Sequence, residues 1–534
     1  MQRPHRSVPE RLMLYTTSFG RQLPPSVRRK LRSLTGSATE KQVRSLPAET
    51  VEAFDAWQTL ESMAGTICEV LEDAGIEVVR LSRSGQEWLA VDASQQLPAL
   101  SALRDSPVCK HWIAQPPEGR PRLLGSSHAA ARESTILVYR HLRSPDGRYI
   151  CGPEVSVTLE FWRATKAKTP RPDGGMFDRG TRLPPSKNRV VPYLPPGLWA
   201  EAQGRRDHRI ARQDLPNLLE LNEPVDAVYT WVDDNDPVWR ELRESILPEA
   251  SGLASDALDP ARTRDRDELR YSLRSLAMHA GWVRRVWIVT AGQVPAWLNL
   301  DNDRVRVVSH AEIFSDPSAL PVFNSHAIES QLHHIADLSE HFLYLNDDFF
   351  FGRPVRPELF FHGNGIPKMM PSPIAIDLDL DTDCRNGASL AARQSREWLE
   401  RTFDRSVTNR MQHTPHPHLK SALNDLEAAM PTDFDRVAHS RFRHRSDLSI
   451  PSELGHYYTY ATNRAVSGSM AFQYVDFDSP LAEERMTALL AARGADCFCV
   501  NDVGGGSASP TPQRLRQFLD DYFPVPSEFE VVGR

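Results

Sequence analysis

Apolar residues recur along this chain at two periods, and the change from one to the other marks out its elements. "VEAFDAWQTLESMAGTICEVLEDAG" repeats at helical spacing and predicts an amphipathic helix. "IEVVRLS", "EWLAVDA", "STILVYRHL" and "EVSVTLEFWRA" read as strands. Together they predict a small α/β region over residues 51–165, which carries no motif with an assignable chemistry. From 166 to 223 the periodicity gives way to Pro, Arg, Gly and Asp, as in "KAKTPRPDGGMFDRGTRLPPSKNRVVPYLPPG", and this suits a long connection or an embracing arm.

At Pro224 the pattern changes. "VDAVYTWV" is a strand of the fully buried kind, followed by the acidic loop "DDNDP" and the helix "PVWRELRESIL", with Asp236 as N-cap and Pro237 at the first helical position. "RDELRYSLRSLAMHAG" repeats Leu269, Leu273 and Leu276 and predicts a helix closed by a Gly281 cap. A strand "VRRVWIVTAG", a short helix "PAWLN", a strand "RVRVVSH", a helix "SHAIESQLHHIADL" and a strand "HFLYL" follow. Such alternation predicts a mostly parallel sheet covered on both faces, with ligands beyond the carboxyl ends of its strands.

Composition narrows the classes. At 534 residues the chain exceeds one ordinary core, and 40% hydrophobic with 25% charged residues is globular. A net charge of −7 gives no field to draw nucleic acid, so no nucleic-acid partner is expected. Cysteines at 68, 109, 151, 384, 497 and 499 make no disulfide scaffold, and Cys497 and Cys499 in "CFCV" are expected to pack in the core. No stretch approaches the roughly 20 apolar residues of a membrane helix. The expected location is the cytoplasm. The basic tail of residues 1–50 is either solvated or touches an anionic membrane surface, which would put the protein at the inner face. Homo-oligomerisation is left open.

Three stretches hold candidate chemistry. "FLYLNDDFFFG" sets Asn346, Asp347 and Asp348 at the carboxyl end of a predicted central strand, beside the acidic loop "VDDND" with Asp233. Hard oxygen ligands there suit Mg²⁺ or Mn²⁺ on a pyrophosphate, while Asp and Asn are also ordinary turn and cap residues. Because neighbouring strand residues face opposite ways, only one of the two carboxylates can point at a metal unless the strand has already turned. "MQHTPHPHLK" and "HSRFRHRSD" bring His413, His416 and His418 and then Arg443 and His444, giving groups that take a proton near neutrality and groups that grip phosphate. A catalytic role, a surface loop and a zinc site all remain open for these histidines. "CFCVNDVGGG" repeats the strand-then-Asn-Asp pattern and ends in Asp502.

"VDAVYTWVDDNDPVW", "RDELRYSLRSLAMHAGWVRRVWIVTAGQVPAWLN", "RVRVVSHAEIF", "LPVFNSHAIESQLHHIADLSEHFLYLNDDFFFG", "HTPHPHLK" and "CVND" resemble, in order, the four regions of the Stealth family, over residues 224–505. The resemblance implies a Rossmann-like, glycosyltransferase-A-like α/β catalytic domain over 224–534, with the smaller N-terminal α/β domain beside it. It implies transfer of a sugar-1-phosphate from a UDP-sugar donor to a hydroxyl of an oligo- or polysaccharide acceptor, with release of UMP, in capsule or exopolysaccharide synthesis. It also implies Asp347, Asp348 and Asp502 as metal ligands for Mg²⁺ or Mn²⁺. Asp233, Asn346, Asn324, His326 and Arg270 match positions that contact substrate. His413 or His416 matches the base, with Arg443 and His444 on the phosphate. After Asn501 and Asp502 this chain has "VGGG" where many relatives carry polar or acidic residues. A glycosyltransferase releasing UDP and a non-catalytic carbohydrate-binding protein are the rival readings of the same residues.

Overall fold

The structure is a computed structural model that describes residues 46–83, 85–124, 133–246, 252–377, 386–501 and 512–531. Most of the basic tail, Cys384 and Asp502 lie outside the described residues.

The N-terminal part follows the periodicity. Helix α1 (Ala56–Asp73) is capped by the Asp55 carboxylate, which accepts from the Trp57 and Gln58 N–H groups. Strands β1 (Val78–Arg83), β2 (Gln86–Asp92), β3 (Ile113–Gln115), β4 (Thr135–Tyr139) and β5 (Ser156–Ala164) pair in the order β1-β2-β5-β4-β3. Alternation buries both faces: Val78, Leu89 and Val91 pack under α1, whereas Val79, Leu81 and Ala90 point the other way. The second face is covered by the Pro-rich stretch. Within it Arg182–Leu183 pairs with β5, and helix α2 (Pro196–Gln203) lays Trp199 and Ala202 on Val79 and Leu81.

The second sheet starts at β6 (Val225–Thr230). Helix α3 (Pro237–Ser245) follows, with Asp236 capping the Val238 N–H and Pro237 at its first position. Next come α4 (Glu268–His279), β7 (Val286–Thr290), β8 (Val305–Ser309), α5 (Ser325–Glu329), β9 (His341–Asn346), β10 (Phe349–Phe351), β11 (His416–Leu419) and α6 (Lys420–Ala429). The order is β8-β7-β6-β9-β11, with the first four strands parallel and β11 antiparallel at the edge. Val228, Phe342 and Tyr344 face one core, and Ala227, Tyr229, Leu343 and Leu345 face the other, so these strands are buried on both faces, with the Asp226 carboxylate of β6 paired to Arg284. A three-stranded sheet joins β10 to β12 (Phe472–Asp476) and β13 (Cys497–Asn501), in the order β10-β13-β12, and helix α7 (Pro512–Tyr522) closes the fold.

The two parts share one core. Ile67, Leu71 and Tyr139 of the N-terminal part belong to the same cluster as Tyr271, Met278, Phe350, Phe498, Phe518 and Tyr522. Arg148 Nε pairs with Asp521 Oδ1 at 2.9 Å across the boundary. No helix among the described residues is long and apolar enough to cross a membrane.

Three local expectations are corrected. Helix α4 ends at His279 with Ala280 as its C-cap, and Gly281 is not a left-handed cap. A Cβ at Gly281 would lie 2.5 Å from Asp55 Oδ2, so glycine there permits close approach of the α1 cap. "PAWLN" forms a turn rather than a helix, because its backbone bonds the C-terminal chain: the Asn299 N–H donates to the Phe529 carbonyl and the Val531 N–H to the Trp297 carbonyl. "SHAIESQLHHIADL" is α5 alone, followed by a separate 3₁₀ turn at Leu332–His334.

Candidate functional site

The register of the central strands sets the site. Thr230 of β6 is paired with Asn346 of β9, so the loops that leave both strands emerge side by side at the carboxyl edge of the sheet. Gln293, leaving β7, ties the first loop down: its amide donates to the Asp233 carbonyl at 2.8 Å and to Asp236 Oδ2 at 3.0 Å. Asp233 Oδ1 accepts from the Asn235 N–H at 2.8 Å.

At the end of β9 the Tyr344 hydroxyl lies 2.8 Å from Asn346 Oδ1 and 3.2 Å from both Glu329 Oε1 and Thr230 Oγ1. The chain turns at Asp347 and Asp348 before entering β10, which frees both carboxylates from strand alternation. They converge with Glu268 and Asp265 at the start of α4. Lost solvation, then the charges of Asp348, Glu268 and Asp265, hold Asp347 well above the usual carboxylate range. Burial pushes Glu268 up to about 7, with Asp265 adding to the effect. Burial likewise pushes Asp265 up to about 6, reinforced by Asp267 and Asp233.

Asp348 is buried, and its Oδ2 accepts from the Cys499 thiol at 3.2 Å and lies 3.7 Å from His413 Nε2. Its Oδ1 has no hydrogen-bond partner although buried, and neither has His413 Nε2. An orphaned carboxylate oxygen amid carboxylates that are crowded out of water is what a divalent cation would satisfy. The residues therefore fit the metal that the sequence suggests, with Asp347 and Asp348 central.

A basic side faces this acidic one. Asp256 Oδ2 holds Arg262 Nη1 at 2.8 Å and Arg443 Nη1 at 3.6 Å. Arg443 Nη2 donates to Ser325 Oγ at 2.8 Å, and its buried Nε has no partner. The Glu329 carboxylate interacts electrostatically with Arg262, His326 and His413, which places it between the two sides. His326 Nδ1 is 3.6 Å from Asp447 Oδ2, which also accepts from Asn324 Nδ2 at 2.8 Å and the His444 N–H at 2.9 Å. Burial works against the Asp447 charge, yet these bonds outweigh it and keep the carboxyl below its usual range.

The expected residues thus separate by position. Asp233, Asn346, Asp347, Asp348 and His413 gather at the acidic side, and His326 and Arg443 at the basic side. Asn324 is fully buried, with its amide bonded to Ser440, Asp447 and the His326 N–H, so it shapes the α5 entry rather than lining a pocket. His416 is buried behind Tyr344 and Phe349, with Nδ1 2.9 Å from His456 Nε2, and burial holds it well below its usual range. His444 bonds Ser446 and packs on Gly252, where a Cβ would lie 2.2 Å from its Nε2. Arg270 shares Glu530 with Arg274 and lies over Trp297. Cys499 does more than pack, since its thiol faces Asp348. The sequence reading missed Asp265, Glu268, Glu329, Arg262 and Asp447. Of these only Glu329 had a signal, standing three residues after His326 on one helix.

Residues 223–249, 262–369, 412–460 and 487–533 match conserved regions 1, 2, 3 and 4 of Stealth proteins. The exopolysaccharide phosphotransferase SCO6023 of Streptomyces coelicolor is 39% identical over 483 residues, spanning 87% of this chain and 81% of that protein. The chain belongs to the Stealth family. Exopolysaccharide phosphotransferase CpsY of Mycobacterium tuberculosis is 36% identical over 74% of this chain and 73% of its own length. The S. coelicolor exopolysaccharide phosphotransferase SCO2592 is 36% identical over 96% of this chain and 55% of its own length. As a Stealth member with these relatives, the chain is an enzyme of the phosphotransferase class. A crystal structure of the galactosyltransferase LgtC with donor and acceptor sugar analogues superposes with a TM-score of 0.29 at 10% identity, covering 55% of this chain and 95% of that one, too slight a likeness to bear on either fold or activity.

Proposed function

We propose that this Stealth enzyme moves a hexose-1-phosphate or N-acetylhexosamine-1-phosphate from a UDP-sugar to a sugar hydroxyl in exopolysaccharide synthesis, on a glycosyltransferase-A-like sheet. The observation that carries this reading is the meeting of His413 with Asp348 at the carboxyl edge of the parallel strands, under a cluster of carboxylates and opposite Arg443. Mg²⁺ or Mn²⁺ held by Asp347 and Asp348, together with Asp502, would supply charge to offset the pyrophosphate.

His413 Nε2 accepts the proton of the acceptor hydroxyl as that oxygen bonds to the phosphorus next to the sugar. The bond from this phosphorus to the bridging oxygen breaks, and the oxygen leaves with UMP. The product is a phosphodiester, so one P–O bond forms and one breaks. Arg443 turns its unpartnered Nε toward the phosphoryl oxygens, while Asp256 and Ser325 hold its other nitrogens. Glu329 and Tyr344 fix Asn346 at the rim.

The test is to incubate the full chain with Mg²⁺ and a panel of UDP-sugars, with and without oligosaccharide acceptors, and to identify the nucleotide released. Acceptor-dependent UMP is the expected result and names the donor. UDP would show that the bond breaks at the sugar carbon, as in a glycosyltransferase. No acceptor-dependent nucleotide from any donor would favour a carbohydrate-binding role.

A further inference from the structure

Outside the acidic site, His333, His334 and Glu427 form a second cluster of metal-ligating groups. Glu427 on α6 presents one carboxylate oxygen, Oε2, to His333 Nε2 at 2.7 Å and to His334 Nε2 at 2.8 Å. His334 Nδ1 lies 2.9 Å from the Ile313 carbonyl oxygen, which can only accept, so Nδ1 carries the ring proton. A neutral His334 then directs the lone pair of Nε2 at a carboxylate oxygen that also offers only lone pairs. Either a second ring proton or a cation seated among the three atoms removes that repulsion.

Several features favour the cation. The donor set, two imidazole nitrogens and a carboxylate oxygen, is one zinc adopts when a fourth position stays open. The three atoms lie within 4.8 Å of one another. At zinc distances of ~2.0–2.2 Å the two short contacts need to open by less than about 1 Å. The second nitrogen of His334 is already bonded to a carbonyl, the outer contact that fixes the tautomer of a metal-bound imidazole. His333 is buried against Phe434 with its Nδ1 unpartnered. The side chains of His334 and Glu427 are 22% and 28% exposed, which leaves an open side. Lys420 adds positive charge nearby, but its ammonium donates to the Ile335 carbonyl at 3.0 Å.

We propose that His333, His334 and Glu427 bind a zinc-class transition metal that clips the 3₁₀ turn after α5 to helix α6. Helix α5 carries His326 and Glu329, and α6 follows directly on β11, the strand that begins three residues after His413. The metal therefore fixes the spacing of two site-bearing segments and takes no part in the proposed reaction.

The test is zinc titration of the chelator-stripped full chain against a coloured competitor, alongside the visible spectrum of the cobalt-loaded protein. The expected result is one zinc equivalent that binds at least tenfold more weakly in both His334→Gln and Glu427→Gln. Zinc should raise the melting temperature of the parent chain and not of either variant. The cobalt adduct should lack a thiolate charge-transfer band. The group Asp348, His413 and Cys499 is the competing position; binding there would show the thiolate band and persist in both variants. That outcome overturns the proposal, as do equal uptake by parent and variants and no uptake at all. Two variants are used because one misfolded protein would be uninformative, and Glu427→Gln keeps a hydrogen-bond acceptor in place.

Discussion

The thiol of Cys499 on β13 donates to Asp348 Oδ2 at 3.2 Å, so the carboxylate at the end of one sheet is fixed by a strand of another. The antiparallel register sets this up, pairing Cys499 with Phe349, the residue after Asp348. Cys499→Val removes the donor while keeping a similar volume. A thiol is a weak donor, and one such hydrogen bond contributes on the order of 1 kcal/mol, or up to about a tenfold change in an equilibrium. The expected outcome is up to about a tenfold higher Mg²⁺ requirement for turnover, with Cys499→Ser closer to the parent. Metal-activation curves measure it; identical curves for Val and the parent would show that the thiol only packs.

His413 and His416 stand three residues apart and should fail differently. His413 has a side chain 36% exposed beside Asp348, so His413→Ala should lower turnover by about 10²–10⁴-fold with little change in melting temperature. His416 is stacked on Tyr344 and bonded to His456 in the core. Its replacement by Ala should cost about 2 kcal/mol or more of stability through the cavity and the orphaned partner. Steady-state rates beside denaturant melts separate the two, and the reverse pattern would exchange their roles.

The sheet was legible because its central parallel strands are buried on both faces, and a run such as "HFLYL" admits few other readings. The carboxylates of Asp347 and Asp348 were legible because they interrupt such a run. Asp265 and Glu268 were not, since acids before and at the start of a helix carry the same signature whether they cap it or line a site. Only the packing of α4 against β10 brings them to Asp347. Sequence pattern also cannot show that "PAWLN" bonds a segment more than 200 residues later, because that pairing depends on long-range backbone contacts rather than on local propensity.

The core shared by the two parts makes the N-terminal region a structural partner of the catalytic sheet. A chain beginning at residue 224 would expose Tyr271, Met278, Phe518 and Tyr522, which pack in the cluster that includes Ile67, Leu71 and Tyr139. Uncovering each large side chain costs about 1.5–3 kcal/mol, a sum comparable with the whole stability of a domain. The shortened chain is expected to be insoluble or to lack a cooperative melt. A soluble fragment with the parent's melting temperature would show that the shared core contributes little.

Glu453 gives a pH dependence with a definite sign. Its carboxylate is 5% exposed, Oε2 accepts from the Met411 N–H at 3.1 Å, and Oε1 is buried without a partner. Burial pushes its pKa up to about 7 from an ordinary 4.5. Raising an acid's folded pKa means that the folded state holds the proton more tightly than the unfolded chain. Below about pH 4.5 both states are protonated and the residue costs nothing. As pH rises toward 7 the unfolded chain ionises first, and above 7 the full cost of a buried charge is reached, about 3 kcal/mol. Glu453→Gln removes the charge while keeping the shape. Its stability relative to the parent should be near zero at pH 4.5, increase through pH 5–7 and level off above. Urea melts at a series of pH values measure this directly, and a difference that stays flat across the range would show that Glu453 is solvated or paired in the folded protein.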